Sequence, residues 1–214
     1  MSKRTAVDPL VVGLTGNIAT GKSTVSAYLR GKGAYGIDAD KVAHQVMEPG
    51  QEAYTAIVAE FGTDILASDG SVDRGKLAKI VFADSEKLGR LEQIVHPAVY
   101  RAVYKEIEEN APPVVILEAV KLLEAGSTAT LCNEIWVVVA DPEEQVRRAE
   151  VNRGMSEAET RRRMSMQSPQ ASKMNQADVV IYNNGTLQEL YVQLDELWRK
   201  LLVRHSVRLE GVSD

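Results

Sequence analysis

The apolar positions of this chain change period along its length, and the changes mark elements. Leu10-Val11-Val12-Gly13-Leu14-Thr15 is a short continuous apolar run, the pattern of a strand buried on both faces. Thr24-Val25-Ser26-Ala27-Tyr28-Leu29-Arg30 reads as a helix, which Gly31-Lys32-Gly33 ends. Ala34-Tyr35-Gly36-Ile37-Asp38-Ala39-Asp40 predicts a second strand carrying two carboxylates. From Lys41 to about Asn110 the spacing is mostly helical, with loops at Glu48-Pro49-Gly50 and Ser68-Asp69-Gly70. Ala53, Tyr54, Ile57, Val58 and Phe61 fall at helical spacing. Asp73 is set to cap a helix carrying Leu77, Ile80 and Val81. The helix holding Leu88, Leu91, Ile94 and Val95 stops before His96-Pro97, and Pro97 opens another through Ile107.

Pro112-Pro113 ends this span. Val114-Val115-Ile116-Leu117-Glu118 and Glu134 to Ala140 read as buried strands. Asp141-Pro142-Glu143-Glu144 opens a helix that reaches about Asn152, and Ser156 with Glu159 fits a capping box opening another to about Gln167. Asp178 to Tyr182 is the last strand, and Thr186 caps a final amphipathic helix through Leu201. Strands alternating with helices predict an α/β fold, a parallel sheet in a three-layer α/β/α core. The core takes 9–40 and 112–202, an all-helical insertion takes 41–111, and a helical lid lies at 153–173 within the core.

Composition narrows the class. The 214 residues suffice for one α/β domain with insertions, and 26% charged residues suit a globular chain. A net charge of −5 argues against broad electrostatic binding of nucleic acid, though not against a local basic cleft. Cys132 is the one cysteine, so neither an internal disulfide nor a cysteine metal site can form, and a small buried apolar role is expected for it. The first nine residues are short and polar, without a signal-like apolar core, and no apolar run is long enough to span a bilayer. A cytoplasmic enzyme without a membrane partner is the expectation.

The chemistry starts at Gly16-Asn17-Ile18-Ala19-Thr20-Gly21-Lys22-Ser23, which fits G-x-x-x-x-G-K-[ST] between a strand and a helix. Glycines let loop amides turn inward, and with the helix N-terminus those amides bind phosphate. Lys22 then reaches the β- and γ-phosphates, and the Ser23 hydroxyl takes a position on Mg²⁺. On an extended strand Asp38 and Asp40 point to the same side, at the strand end where open α/β sheets bind ligands; a solvated acidic loop is the other reading. Glu118 has two readings as well: an acid that holds a magnesium-bound water or orients a basic residue, or the cap of a following helix. Arg161-Arg162-Arg163 suit a lid that neutralises the γ-phosphate in transit, or a solvated face paired with Glu157 and Glu159.

Taken together, these residues resemble the dephospho-CoA kinases, a family of the P-loop nucleotide-kinase group. The likeness runs from Leu10 to about Leu202, through Ile37-Asp38-Ala39-Asp40 with Ala43-His44, Asp69-Gly70…Arg74…Leu77…Phe82, Leu91-Glu92…His96-Pro97, Gln145…Arg148, Arg163…Gln167 and Asp178…Asn183-Asn184-Gly185. It implies ATP-dependent phosphorylation of the ribose 3′-hydroxyl of dephospho-CoA, with ATP and Mg²⁺, a helical CoA-binding lobe and a lid. The chain would then work as a monomer or weak homo-oligomer without nucleic acid. It implies Gly16 to Thr24, Arg148, Asn184 and Gly185 at ATP, the last two by the adenine. Lys22, Arg148 and Asp40 are implied as catalytic, Asp40 meeting the acceptor hydroxyl. Asp38, Asp40, His44, Arg74, Leu77, His96 and Glu118 are implied at the substrate, with Ser23 and Asp38 near Mg²⁺. His96 can equally be a helix-start residue. The usual loop reads G-G-I-G-S-G-K-S, so Asn17, Ala19 and Thr20 depart from it. Val120-Lys121-Leu122 stands where P-L-L is usual, and Asn152 where a second arginine is expected, with Arg153 beside it. Two rivals fit the loop: a P-loop kinase for another small acceptor, and a nucleotide-dependent switch, which the missing N-K-x-D segment disfavours.

Overall fold

The computed structural model describes residues 9–124 and 126–207. The N-terminal segment 1–8 and the tail 208–214, where the sequence offered no function, lie outside the described residues. Five parallel strands form one sheet: β1 (Leu10–Thr15), β2 (Tyr35–Asp38), β3 (Val114–Glu118), β4 (Glu134–Val139) and β5 (Val179–Tyr182), in the spatial order β2-β3-β1-β4-β5. The order places β1 at the centre, so the loop leaving it opens at the middle of the sheet's C-terminal edge. All six β1 residues are buried, as their uninterrupted apolar run requires.

Period two sorts the strand residues onto two cores. Val11, Val115 and Leu117 face one side, where they join Val42, Ile57, Val99 and Val103. Leu10, Val12, Leu14, Val114 and Ile116 face the other, with Val25, Leu29, Leu194 and Trp198. The first side is covered by α2 (Ala39–Gln45), α3 (Glu52–Phe61), α4 (Arg74–Phe82) and α5 (Ser85–Asn110), the helical span between β2 and β3. The second is covered by α1 (Lys22–Gly31) and α9 (Leu187–Arg204). Each fully buried aliphatic side chain contributes about 1.5–3 kcal/mol over exposure, so these stripes hold the helices to the sheet.

Two boundaries differ from the sequence expectation. The second strand ends at Asp38, and Asp40 stands in the first turn of α2. The Asp38 side chain accepts from the Lys41 amide, so it caps a helix immediately instead of extending the strand. The predicted break at His96-Pro97 is absent, because α5 runs 26 residues through Pro97. The proline removes one backbone donor, but Val95, Ala98, Val99, Val103 and Ile107 form one buried stripe across it. Burial on both sides of Pro97 overrides the local stop signal.

The capping expectations hold for Asp73, which accepts from the Gly75 and Lys76 amides, and for Thr186 with Glu189. At Ser156 only half the box forms, since the Glu159 carboxylate pairs with Arg163 instead. Asp141 holds its N-cap position without a side-chain capping bond, ahead of α6 (Pro142–Arg153). Two further helices complete the described chain: α7 (Glu157–Ser165) and α8 (Gln170–Met174).

Candidate active site

The loop from Gly16 to Ser23 takes the backbone its glycines permit. Gly16 has φ +151 and Gly21 has φ +100, and a Cβ at either would approach Val138 O to 2.3 Å or Asn183 Nδ2 to 2.2 Å. Ala19 also enters the left-handed region, at φ 57, where a Cβ is disfavoured. Three contacts from elsewhere lock the loop. Asn183 Nδ2 donates to Thr20 O at 2.8 Å. Gln167 Oε1 accepts from Ile18 N at 2.9 Å, and Asn17 Nδ2 donates to Ser168 O at 3.1 Å. The departures at Asn17 and Thr20 are therefore built in: the Thr20 hydroxyl donates to Asn17 O at 3.0 Å, and Asn17 holds the segment before α8.

Lys22 is buried, and its Nζ donates to Gly16 O at 2.8 Å and Asn17 O at 3.3 Å. Burial lowers its pKa from 10.5 to about 8, against the opposing fields of Glu118 and Asp40. Arg148 leans over the loop from α6. Its Nη1 lies 3.4 Å from Thr20 O and its Nη2 3.4 Å from Asn183 Oδ1, while Glu144 Oε1 fixes its Nε at 2.8 Å. A cavity of about 630 Å³ opens between loop and arginine, lined among others by Ala19, Gly21, Lys22, Ser23, Thr24, Arg148 and Gly185. Asn152 and Arg153 both line it, and the Arg153 charge reaches Lys22.

The acids gather on the other side of Lys22. Asp38 and Glu118 are Cα partners at the ends of β2 and β3. Asp40 Oδ2 accepts from Val120 N at 3.1 Å, just past Glu118. Burial pushes the Glu118 carboxyl above the usual carboxylate range, Lys22 pulls it back, and Asp38 and Asp40 push with the burial. The helix-cap reading of Glu118 falls: a turn follows β3, and the next helical residues are the short 3₁₀ turn Thr128–Leu131.

The remaining expected residues sit on other parts of the chain, His44 one turn beyond Asp40 on α2. His44 is exposed on α2, Arg74 exposed at the start of α4, and His96 half-buried on α5; among the described residues no hydrogen bond or ion pair joins them to the acids. Leu77 is buried in the core against the sheet's first face. Asn184 gives its side chain to the Asp141 amide at 2.7 Å, and its neighbour Asn183 takes the place beside the loop. On α7, Arg161 pairs with Glu143 and Glu157 and Arg163 with Glu159, which is the solvated-face reading of those two arginines. Asn183 and Gln167 were visible in the sequence only as members of the family series. Lys173 had no sequence signal. Cys132 is half-buried, and burial pushes its thiol up to about 12, so it is a packing residue.

Among the described residues no group of three or more His, Cys, Asp and Glu side chains could hold a metal ion by itself. Ser23 and the nearby carboxylates are hard oxygen donors, which suit Mg²⁺ arriving with phosphate oxygens and keeping several waters.

A glycine loop leaving the central strand, a buried lysine and an overlying arginine define a P-loop kinase built to handle a nucleoside triphosphate. The family model for dephospho-CoA kinase matches residues 10–189. The dephospho-CoA kinase of Geobacter sulfurreducens is 44% identical over 193 residues, covering 89% of this chain and 98% of that protein. The crystal structure of TT1252 from Thermus thermophilus superposes with a TM-score of 0.80 at 34% identity, covering 91% of this chain and 99% of that one. Dephospho-CoA kinase from Campylobacter jejuni shares the fold at a TM-score of 0.65 and 21% identity, over 89% of this chain and 96% of that one. The chain belongs to the dephospho-CoA kinase family. Its activity is ATP-dependent phosphorylation of dephospho-CoA, in coenzyme A biosynthesis. No helix among the described residues is long and apolar enough to cross a membrane.

Proposed function

We propose that the γ-phosphoryl group of ATP passes to the ribose 3′-hydroxyl of dephospho-CoA between the Lys22 loop and the Asp40 carboxylate. The observation that carries this reading is that Asp38 pairs with Glu118 across β2 and β3 and Asp40 holds the Val120 amide beside them, with Glu118 and Asp40 close enough to act on Lys22 of the donor loop. Loop amides and the N-terminus of α1 bind the phosphates. Lys22, Arg148 and Arg153 offset the charge on the transferring group, and Asp40 holds the hydroxyl in line and accepts its proton. Mg²⁺ would be held by the Ser23 hydroxyl and, through water, by Asp38 or Glu118, and it would supply charge neutralisation for the transferring phosphate. Gly185, beside Thr186 in the cavity wall, supports an adenine position there.

The span 41–111 serves as the substrate lobe, with His44, Arg74 and His96 as its polar contacts, and 153–173 as the lid. The working unit is a monomer or a weak homo-oligomer. One free cysteine suits a reducing, cytoplasmic setting. Phosphorus NMR of the product tests the proposal: a 3′-phosphomonoester on the ribose is expected, and a phosphate at any other position overturns it.

A further inference from the structure

Lys173 is a lysine with almost no exposure, 2%, and no step above uses it. A buried ammonium is costly unless it is paired and hydrogen-bonded, so its partners say what it is for. Its Nζ donates to Val120 O at 2.7 Å and lies 3.1 Å from Glu124 Oε1. The Thr15 hydroxyl, at the end of β1, donates to the same carbonyl at 3.1 Å. The Val120 amide in turn donates to Asp40 Oδ2 at 3.1 Å. Both main-chain groups of one residue are thus fixed, the carbonyl by Lys173 and Thr15, the amide by the acid.

Lys173 comes from the last turn of the lid segment, and that segment is tied down twice more. Gln170 makes a two-way bond to Ala140, accepting from its amide at 3.2 Å and donating to its carbonyl at 3.0 Å. Gln167 and Ser168 hold the Ile18 amide and the Asn17 side chain of the phosphate loop. One stretch of chain therefore touches the donor loop at one end and the Asp40 support at the other.

We propose that Lys173 is a positioning residue that acts through Val120 on Asp40, setting the carboxylate against the acceptor hydroxyl and tying its position to the lid. It does not touch substrate. The proposal rests on the role given to Asp40 above.

The test is a double-mutant cycle with ATP, Mg²⁺ and dephospho-CoA, reading kcat and KM for ATP in the wild type, Lys173→Met, Asp40→Asn and the double variant. Lys173→Met is expected to lower kcat about 10–100-fold with KM for ATP within about 3-fold, while in the Asp40→Asn background it costs less than about 3-fold, the signature of residues acting as a unit. A kcat within about 2-fold of wild type, or an equal loss in both backgrounds, overturns it. Where Lys173→Met gives no folded protein by circular dichroism, Lys173→Arg runs the same cycle. Its planar fork cannot reproduce the single short contact, so a loss of at least about 3-fold that vanishes on Asp40→Asn is expected, and no loss or an undiminished one overturns the proposal. Wild-type chain that turns over no dephospho-CoA overturns the functional reading and this proposal with it. Wild-type turnover with independent losses overturns this proposal alone.

Discussion

The Lys22 ammonium lies 2.8 Å from the Gly16 carbonyl, closed onto the loop to which it belongs. Its pKa has fallen to about 8 through burial, below the usual 10.5. The unfolded chain therefore binds this proton more tightly. The penalty on the fold is complete below pH 8 and is relieved as pH rises from 8 to 10.5. Phosphate anions reverse the balance by favouring the charged form. ATP binding at pH 8 should thus take up about half a proton at this site, since Lys22 is then about half-charged when free. Calorimetry in two buffers of different ionisation enthalpy reads this directly. Lys22→Met should abolish the uptake and weaken ATP binding; equal uptake in that variant would contradict the role.

Asp40 stands on the first turn of α2 with one carboxylate oxygen on the Val120 amide. In the proposed mechanism the other oxygen meets the acceptor hydroxyl. Asp40→Asn should lower kcat by about 10²–10⁴-fold, the scale of a positioned acid–base group, and leave ATP affinity nearly unchanged. Steady-state kinetics and ATP titration check both halves, and near-normal turnover sinks the assignment.

Asn183 joins the turn after β5 to the phosphate loop, donating to Thr20 O and lying 3.4 Å from the Arg148 guanidinium. It is buried, and truncation leaves the Thr20 carbonyl with only the longer Arg148 contact. Asn183→Ala should cost about 0.5–1.5 kcal/mol in urea unfolding, the usual net worth of one intramolecular hydrogen bond. KM for ATP should rise as well, because Thr20 and Arg148 lose their shared support. Unchanged stability with unchanged KM would show that the contact does nothing.

Most of the sheet and the donor loop could be read from sequence because local rules decide them. Buried parallel strands are continuous apolar runs, and the loop chemistry demands glycine and lysine at fixed spacing. The misreadings were places where one residue answers to two rules. Asp38 ends a strand and caps a helix at once, so the sequence could not tell whether Asp40 continued the strand. Pro97 is a stop signal locally, but the buried stripe of α5 crosses it. Asn183 and Asn184 are alike in sequence, and only the fold sends one to Thr20 and the other to Asp141. Contacts such as Gln167 to Ile18 and Lys173 to Val120 join distant segments, and no local pattern records them.

Acceptor choice is the most direct test of the account. The chain is supplied with ATP and Mg²⁺ and with dephospho-CoA, AMP or no acceptor, and ADP release is followed. Fast ADP release is expected with dephospho-CoA and not with AMP or without an acceptor. Equal or faster release with AMP, or ATP binding without acceptor-dependent turnover, would contradict it.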